Sequence, residues 1–156
     1  MAREIDWVIR LITGVRTVRA EMNVPPSRMA PVLLRDASGA TEARAQAWRE
    51  AIGRMARISE VGVLTGPMPK GAAQIVLDEA TLVLPLEGLI DIAAERARLD
   101  KELTRAGSEA EKVERKLANV DFVARAKPEV VEENRERLEA FRADEVRLRA
   151  ALSRLD

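Results

Sequence analysis

From Leu89 to Leu155 the apolar residues keep step with an α-helix, and this limits the fold more than any other feature of the chain. Leu89, Ile92, Arg96, Leu99, Leu103, Ala106, Ala110, Val113, Leu117 and Val120 fall alternately three and four apart. That is an a/d heptad seam with one polar interruption, Arg96. A break follows at Asn119 to Pro128. Val131, Asn134, Leu138, Phe141, Glu145, Leu148, Leu152 and Leu155 then form a second seam. Two heptad helices joined by about ten residues predict an antiparallel coiled-coil hairpin. At 1.5 Å per residue, a helix of about 28 residues reaches roughly 42 Å. That is an arm, longer than a compact domain of this size needs.

The register follows from arithmetic. When paired residue numbers sum to 251, Leu117 meets Asn134, Val113 meets Leu138 and Ala110 meets Phe141. Ala106 then meets Glu145, Leu103 meets Leu148 and Leu99 meets Leu152. Every a position faces a d position, and the small Ala110 faces the large Phe141. The e edges pair Asp100 with Arg149 and Glu114 with Arg135, which are complementary. The g edges set Glu109 against Asp144 and Lys116 against Arg137, which repel. That edge is expected to be splayed or to be covered by a partner.

Composition changes near residue 90. Six of the seven Pro and seven of the eight Gly precede it, whereas residues 91–156 carry 15 basic and 16 acidic side chains. Ile5, Val8, Ile12, Val15 and Met22 predict a helix over about 3–22, stopped by Asn23-Val24-Pro25-Pro26. Pro31 to Arg35 is a strand candidate. Ser38 or Thr41 caps a helix over about 41–57 whose apolar face is Trp48, Ile52 and Met55. Val61 to Leu64 is a second strand. Ile75-Val76-Leu77 and Leu82-Val83-Leu84 flank Asp78-Glu79-Ala80-Thr81 as a hairpin. The expected class is α+β: a small α-β-α-β-β domain over 1–90 (helix, strand, helix, strand, β-hairpin), helices on one face of its sheet, then the arm over 91–156.

The chain of 156 residues contains no His, no Cys and no Tyr, and its 26 basic and 26 acidic side chains cancel. This removes disulfides, thiolate and imidazole ligands, cysteine nucleophiles and histidine bases. No glycine-rich phosphate loop is present. Asp36, Asp78 and Glu79 read as turn residues. No apolar run reaches the roughly 18 residues of a membrane span, and no signal peptide is evident at the N-terminus. The expected compartment is the cytoplasm. Helix begins with the first residues, which suggests a start inside a larger protein.

Two basic features remain. On the first arm helix, Arg98, Arg105 and Lys112 share position c, and Lys101 and Arg115 share position f. Acids occupy b, e and g, so these five cations form a stripe opposite the seam. An ordinary solvated face would also show charges here, with support from Asp100 beside Arg96 and Glu111 beside Arg115. The functional reading is a row of charges placed to follow a phosphate backbone, extended at the tip by Arg125 and Lys127. The second feature is Arg16 and Arg19 near the end of the first helix. They either complement its dipole or add further RNA contacts.

Several segments resemble valyl-tRNA synthetases. Val15-Arg16-Thr17-Val18-Arg19-Ala20-Glu21-Met22-Asn23-Val24-x-Pro26 resembles their late helix-to-loop segment. Leu84-Pro85-Leu86-Glu87-Gly88-Leu89-Ile90-Asp91 resembles the strand entering their C-terminal arm. Lys116-Leu117-Ala118-Asn119-x-x-Phe122-Val123-x-x-Ala126 and Pro128-x-Val130-Val131 resemble the arm's tip, except that Lys127 stands between Ala126 and Pro128. The family's His-containing ATP motif, its Lys-Met-Ser-Lys-type loop and its editing domain are missing. The resemblance therefore implies a non-catalytic C-terminal fragment: the end of the anticodon-binding region, an α+β junction and a coiled-coil arm that leans on the corner of tRNA. No cofactor is expected in it; ATP, aminoacylation with valine and the class I ligase activity would belong to the parent chain. Its partners would be valine tRNA and the remainder of the synthetase. The alternative is a coiled-coil protein-interaction module without nucleic-acid binding, using the mismatched g edge.

Overall fold

A computed structural model describes residues 2–156 and separates into two compact units. One holds the described chain through Glu95 with Arg154–Asp156; the other is Arg96–Ser153.

The first unit opens with α1, Ala2–Glu21, which buries Trp7, Val8, Leu11, Ile12, Val15 and Val18 on one stripe. Ile5, expected to point inward, is exposed. The helix ends one turn before the prolines act. Asn23 adopts φ 54, its N–H reaches Ala20 O at 3.3 Å, and the N–H of Val24 reaches Arg19 O at 2.9 Å. This 6→1 and 5→2 pair is a Schellman termination with Asn in the left-handed position.

Four strands follow: β1 (Ala30–Arg35), β2 (Ile58–Val63), β3 (Ala72–Val76) and β4 (Thr81–Pro85). Their order across the sheet is β2-β1-β4-β3. β3 and β4 form the expected hairpin, closed by Leu77 N–H to Ala80 O at 2.9 Å. β1 and β2 run parallel, which requires a crossover. The crossover contains two helices, α2 (Gly39–Ala47) and α3 (Arg49–Ala56), where one was expected. Trp48, at φ −102 and ψ 12, breaks them apart and resets the helical phase. Of the inward face expected there, only Ile52 is fully buried. Trp48 is half-buried and Met55 is exposed, while Ala45 and Ala56 take inner places. Ser38 is the cap, its Oγ accepting from Thr41 N–H at 3.2 Å. Leu82, Val83 and Leu84 are consecutively buried on β4, so this inner strand is covered on both faces rather than one. Gly71 sits at φ 66, and a Cβ there would come within 2.5 Å of Ile92 Cδ1.

The arm helices are α4 (Ile92–Ala118) and α6 (Pro128–Arg154), joined through a short α5 (Val120–Arg125). Asn119 caps α5, its Oδ1 accepting from Asp121 N–H at 3.0 Å and Phe122 N–H at 3.3 Å. The tip is therefore partly helical where only a break was expected. Proline opens α6 at a position where its missing N–H costs nothing. The seam buries Leu99, Ala106, Ala110 and Val113 from α4, and Val131, Asn134, Glu145, Leu148 and Ala151 from α6. A Cβ on Gly107 would lie 3.4 Å from Glu145 Oε2, which puts Glu145 beside the Ala106 layer, as the 251 register requires.

The polar members of the seam rearrange the expected ion pairs. Asn134 Nδ2 donates to Val130 O at 2.7 Å. The Glu145 carboxylate accepts from Arg142 Nη1 at 2.6 Å and from Arg149 Nη2 at 3.4 Å. A buried carboxylate needs charged donors, so it draws in Arg149, which was expected to pair with Asp100. Arg142 also donates to Glu114 Oε2 at 2.5 Å, displacing the expected Arg135, which lies 3.6 Å from Glu132. Phe141 is half-buried. Its ring lies 6.0 Å from the Arg137 guanidinium, and it lines an open side groove with Ala106, Glu109 and Leu148. The g edge, with Glu109 and Asp144 both at its rim, opens into this groove of about 430 Å³, where Arg105, Arg137 and Arg147 intersperse the acids.

Candidate nucleic-acid interface

The α4 stripe is a helical consequence of sequence spacing. Arg98, Arg105 and Lys112 recur every seven residues, about 10.5 Å along the axis, with Lys101 and Arg115 beside them. Lys101, Arg105, Lys112 and Arg115 are exposed and Arg98 is half-buried. Arg98 Nη1 meets Glu102 Oε1 at 2.8 Å, and Lys112 Nζ lies 3.5 Å from Glu109 Oε1. Lys101, Arg105 and Arg115 make no ion pair among the described residues. The support expected for Arg115 from Glu111 does not form, and Glu114 turns to Arg142 instead.

At the tip, Arg125 closes α5 and Lys127 precedes α6. Both are exposed and carry no ion pair among the described residues. Phe122 is half-buried, with Lys116 Nζ 5.0 Å from its ring centroid, a cation–π distance. Val120 and Val123 beside it are exposed.

In the first unit, Arg16 and Arg19 have different fates. Arg19 is buried. Its Nη2 donates to Pro25 O at 3.0 Å and Arg28 O at 2.5 Å, and its Nη1 lies 3.5 Å from Arg57 O. These loop carbonyls occupy its guanidinium, so Arg19, expected as an RNA contact beside Arg16, is placed inside the fold holding the loop after α1. Burial, then the neighbouring Arg57 charge, lowers its pKa from the usual arginine value. Arg16 is exposed and lines a concavity of about 440 Å³ with Arg54 and Arg57. Sequence reading missed both of these, because the only local signal was a basic residue in the last turn of a helix and another just past it.

Two other arginines shift the opposite way. Arg142 is raised by its hydrogen bond to Glu114 and then by Glu145. Arg10 is raised by Glu79, then Asp6; it grips the hairpin turn through Nη1 and Nη2 to Glu79 at 2.9 and 2.6 Å. Glu79 is thus a turn residue with a structural partner. Among the described residues no cluster of three metal-ligating side chains exists, and no helix is long and apolar enough to cross a membrane.

Residues 91–156 match the family model for the valyl-tRNA synthetase tRNA-binding arm. The chain is 66% identical to the valine–tRNA ligase of Gluconobacter oxydans over 97% of its own length and 17% of that protein. It is 64% identical to the ligase of Granulibacter bethesdensis over 98% of the chain and 17% of that protein. Against the Rhodopseudomonas palustris ligase it is 47% identical over 97% of the chain and 16% of that protein. The chain belongs to the valyl-tRNA synthetase family. It spans about a sixth of the length of these curated relatives. In valyl-tRNA synthetase terms, the matched arm contains α4, α5 and α6, including the basic stripe, while Arg16, Arg54 and Arg57 lie outside it.

Proposed function

We propose that this chain is a non-catalytic tRNA-binding region of a cytoplasmic valyl-tRNA synthetase. It holds valine tRNA while a catalytic domain elsewhere in the longer protein uses ATP to charge it with valine. The carrying observation is the line of exposed cations on the outer side of α4, with Lys101, Arg105 and Arg115 unpaired among the described residues. Such a line costs nothing in folding, because the seam is on the opposite side of the helix. It suits phosphate contacts, which fix register and orientation without reading sequence. Orientation of a distant reacting end is itself a contribution to rate. The remainder of the synthetase is the second partner, and the exposed Ile5, Ile9 and Met55 of the first unit are apolar surface suited to meeting it.

The competing reading, a protein-interaction coiled coil, draws on the open g-edge groove with Glu109 and Asp144 at its rim. Binding of tRNA over a range of salt, with Arg105, Lys112 and Arg115 changed to Gln, separates the two. Each phosphate contact removed reduces the log–log salt slope by about 0.7 to 0.9. Loss should be similar for valine tRNA and other tRNAs. An unchanged affinity and slope, with the arm still helical by circular dichroism, favours the protein-interaction reading.

A further inference from the structure

We propose that the concavity between the C-terminal ends of α1 and α3, lined by Arg16, Arg54 and Arg57, holds a phosphodiester group of bound RNA. This rests on the tRNA-binding reading and adds a contact region outside the arm. The concavity has no carboxylate in its lining; Ala20, Val24, Pro26, Met55 and Ala56 make up its apolar part. Arg16, Arg54 and Arg57 are exposed and make no ion pair among the described residues. Arg54 does so although Glu50 stands four residues before it on α3, in register for a helical pair.

A bland role for these arginines would be to answer carbonyl groups at the helix ends. Arg19 already holds the loop carbonyls Pro25 O and Arg28 O beneath them, with its Nη1 3.5 Å from Arg57 O. The three outer guanidiniums are therefore surplus to folding. Arg57 adds a second sign. It ends α3 at φ 57 and ψ 47, the left-handed conformation, where glycine is the unstrained choice. A large cationic side chain kept in a costly backbone conformation points to a use for that side chain. The ligand class follows from the chemistry. Planar guanidinium donors in a lining that holds no carboxylate match phosphate oxygens. With no aromatic side chain in the lining to stack on a base, the backbone is what the site takes.

The test is fluorescence anisotropy of labelled valine tRNA with the 156-residue chain over a series of potassium chloride concentrations. Two variants are compared with wild type: Arg54→Gln with Arg57→Gly, and the arm triple Arg105→Gln, Lys112→Gln, Arg115→Gln. The first should bind roughly three- to tenfold more weakly near 0.1 M salt and lose about one unit of slope, while its melting temperature does not fall, since glycine relieves the left-handed strain. If it keeps the wild-type affinity and slope while the arm triple loses both, the concavity is not an RNA site and the arm reading stands. If wild-type binding is absent or independent of salt, the RNA reading fails and this proposal with it. Polyglutamate that binds wild type but not the concavity variant, with tRNA slopes equal, would assign the concavity to an acidic protein segment and overturn the proposal.

Discussion

Replacing Arg19 by Met removes a guanidinium while keeping most of the buried stem. Three carbonyls lose a donor: Pro25 O at 3.0 Å, Arg28 O at 2.5 Å and Arg57 O at 3.5 Å. The third is at the limit of a hydrogen bond and is set aside. Hydrogen bonds to a charged donor contribute about 1.5–3 kcal/mol each, and because Pro25 and Arg28 are exposed residues, water answers part of what their carbonyls lose. Against this, the variant no longer has to desolvate a cation, the same burial that lowers the Arg19 pKa. The net expected loss is on the order of 2–4 kcal/mol, or about 10–20 °C in melting temperature for a unit of this size. Arg19→Lys should fall between, because both strong bonds leave from Nη2 and the shorter lysine side chain ends short of that position. The assay is urea unfolding followed by circular dichroism, with tRNA binding measured where each variant is folded. A loss under about 1 kcal/mol for the Met variant would refute the clamp. A reduced salt slope at unchanged stability would make Arg19 the RNA contact that its sequence position suggested.

Gly71→Ala should cost about 1–3 kcal/mol, since φ is 66 and the new methyl would sit 2.5 Å from Ile92 Cδ1; adding Ile92→Val should return only the steric part, read by thermal melts. Ala110 is fully buried in the seam, so Ala110→Leu should overpack a layer and cost about 1–3 kcal/mol; a helical arm of unaltered urea midpoint would contradict the packing. Glu145→Leu should lie within about 1 kcal/mol of wild type or be more stable, because Arg142 keeps Glu114 and the Arg142 and Arg149 side chains are 44% and 65% exposed; a loss above about 2 kcal/mol would show that the carboxylate is needed. With no His and no Cys, and with arginines charged far above neutrality, tRNA affinity should be flat between about pH 6 and 9; a titration step in that range would mean that a group outside the basic stripe governs binding.

Periodicity alone determined the long elements. A heptad seam can be buried only along one line of a helix, so α4, α6, the register beside Ala106 and the outward stripe from Arg98 to Arg115 were all legible in the sequence. The chain order of helix, strand, helix, strand and hairpin was legible from apolar runs bounded by Gly, Pro and Asp, but the strand order β2-β1-β4-β3 and the parallel pairing of β1 with β2 were not. What the linear pattern could not contain was which groups far apart in sequence meet. Trp48, at φ −102 and ψ 12, split the crossover into two helices with no proline or other breaker in the sequence to announce it. Arg16 and Arg19 looked equivalent, three residues apart near one helix end. Folding put one over the carbonyls of Pro25, Arg28 and Arg57 and left the other at the surface beside Arg54 and Arg57. Glu145 looked like an unpaired acid in a seam until burial drew Arg142 and Arg149 onto it. Periodicity reports which face of an element is apolar, and the identity of a charge's partner depends on where the other elements come to rest, which only tertiary packing decides.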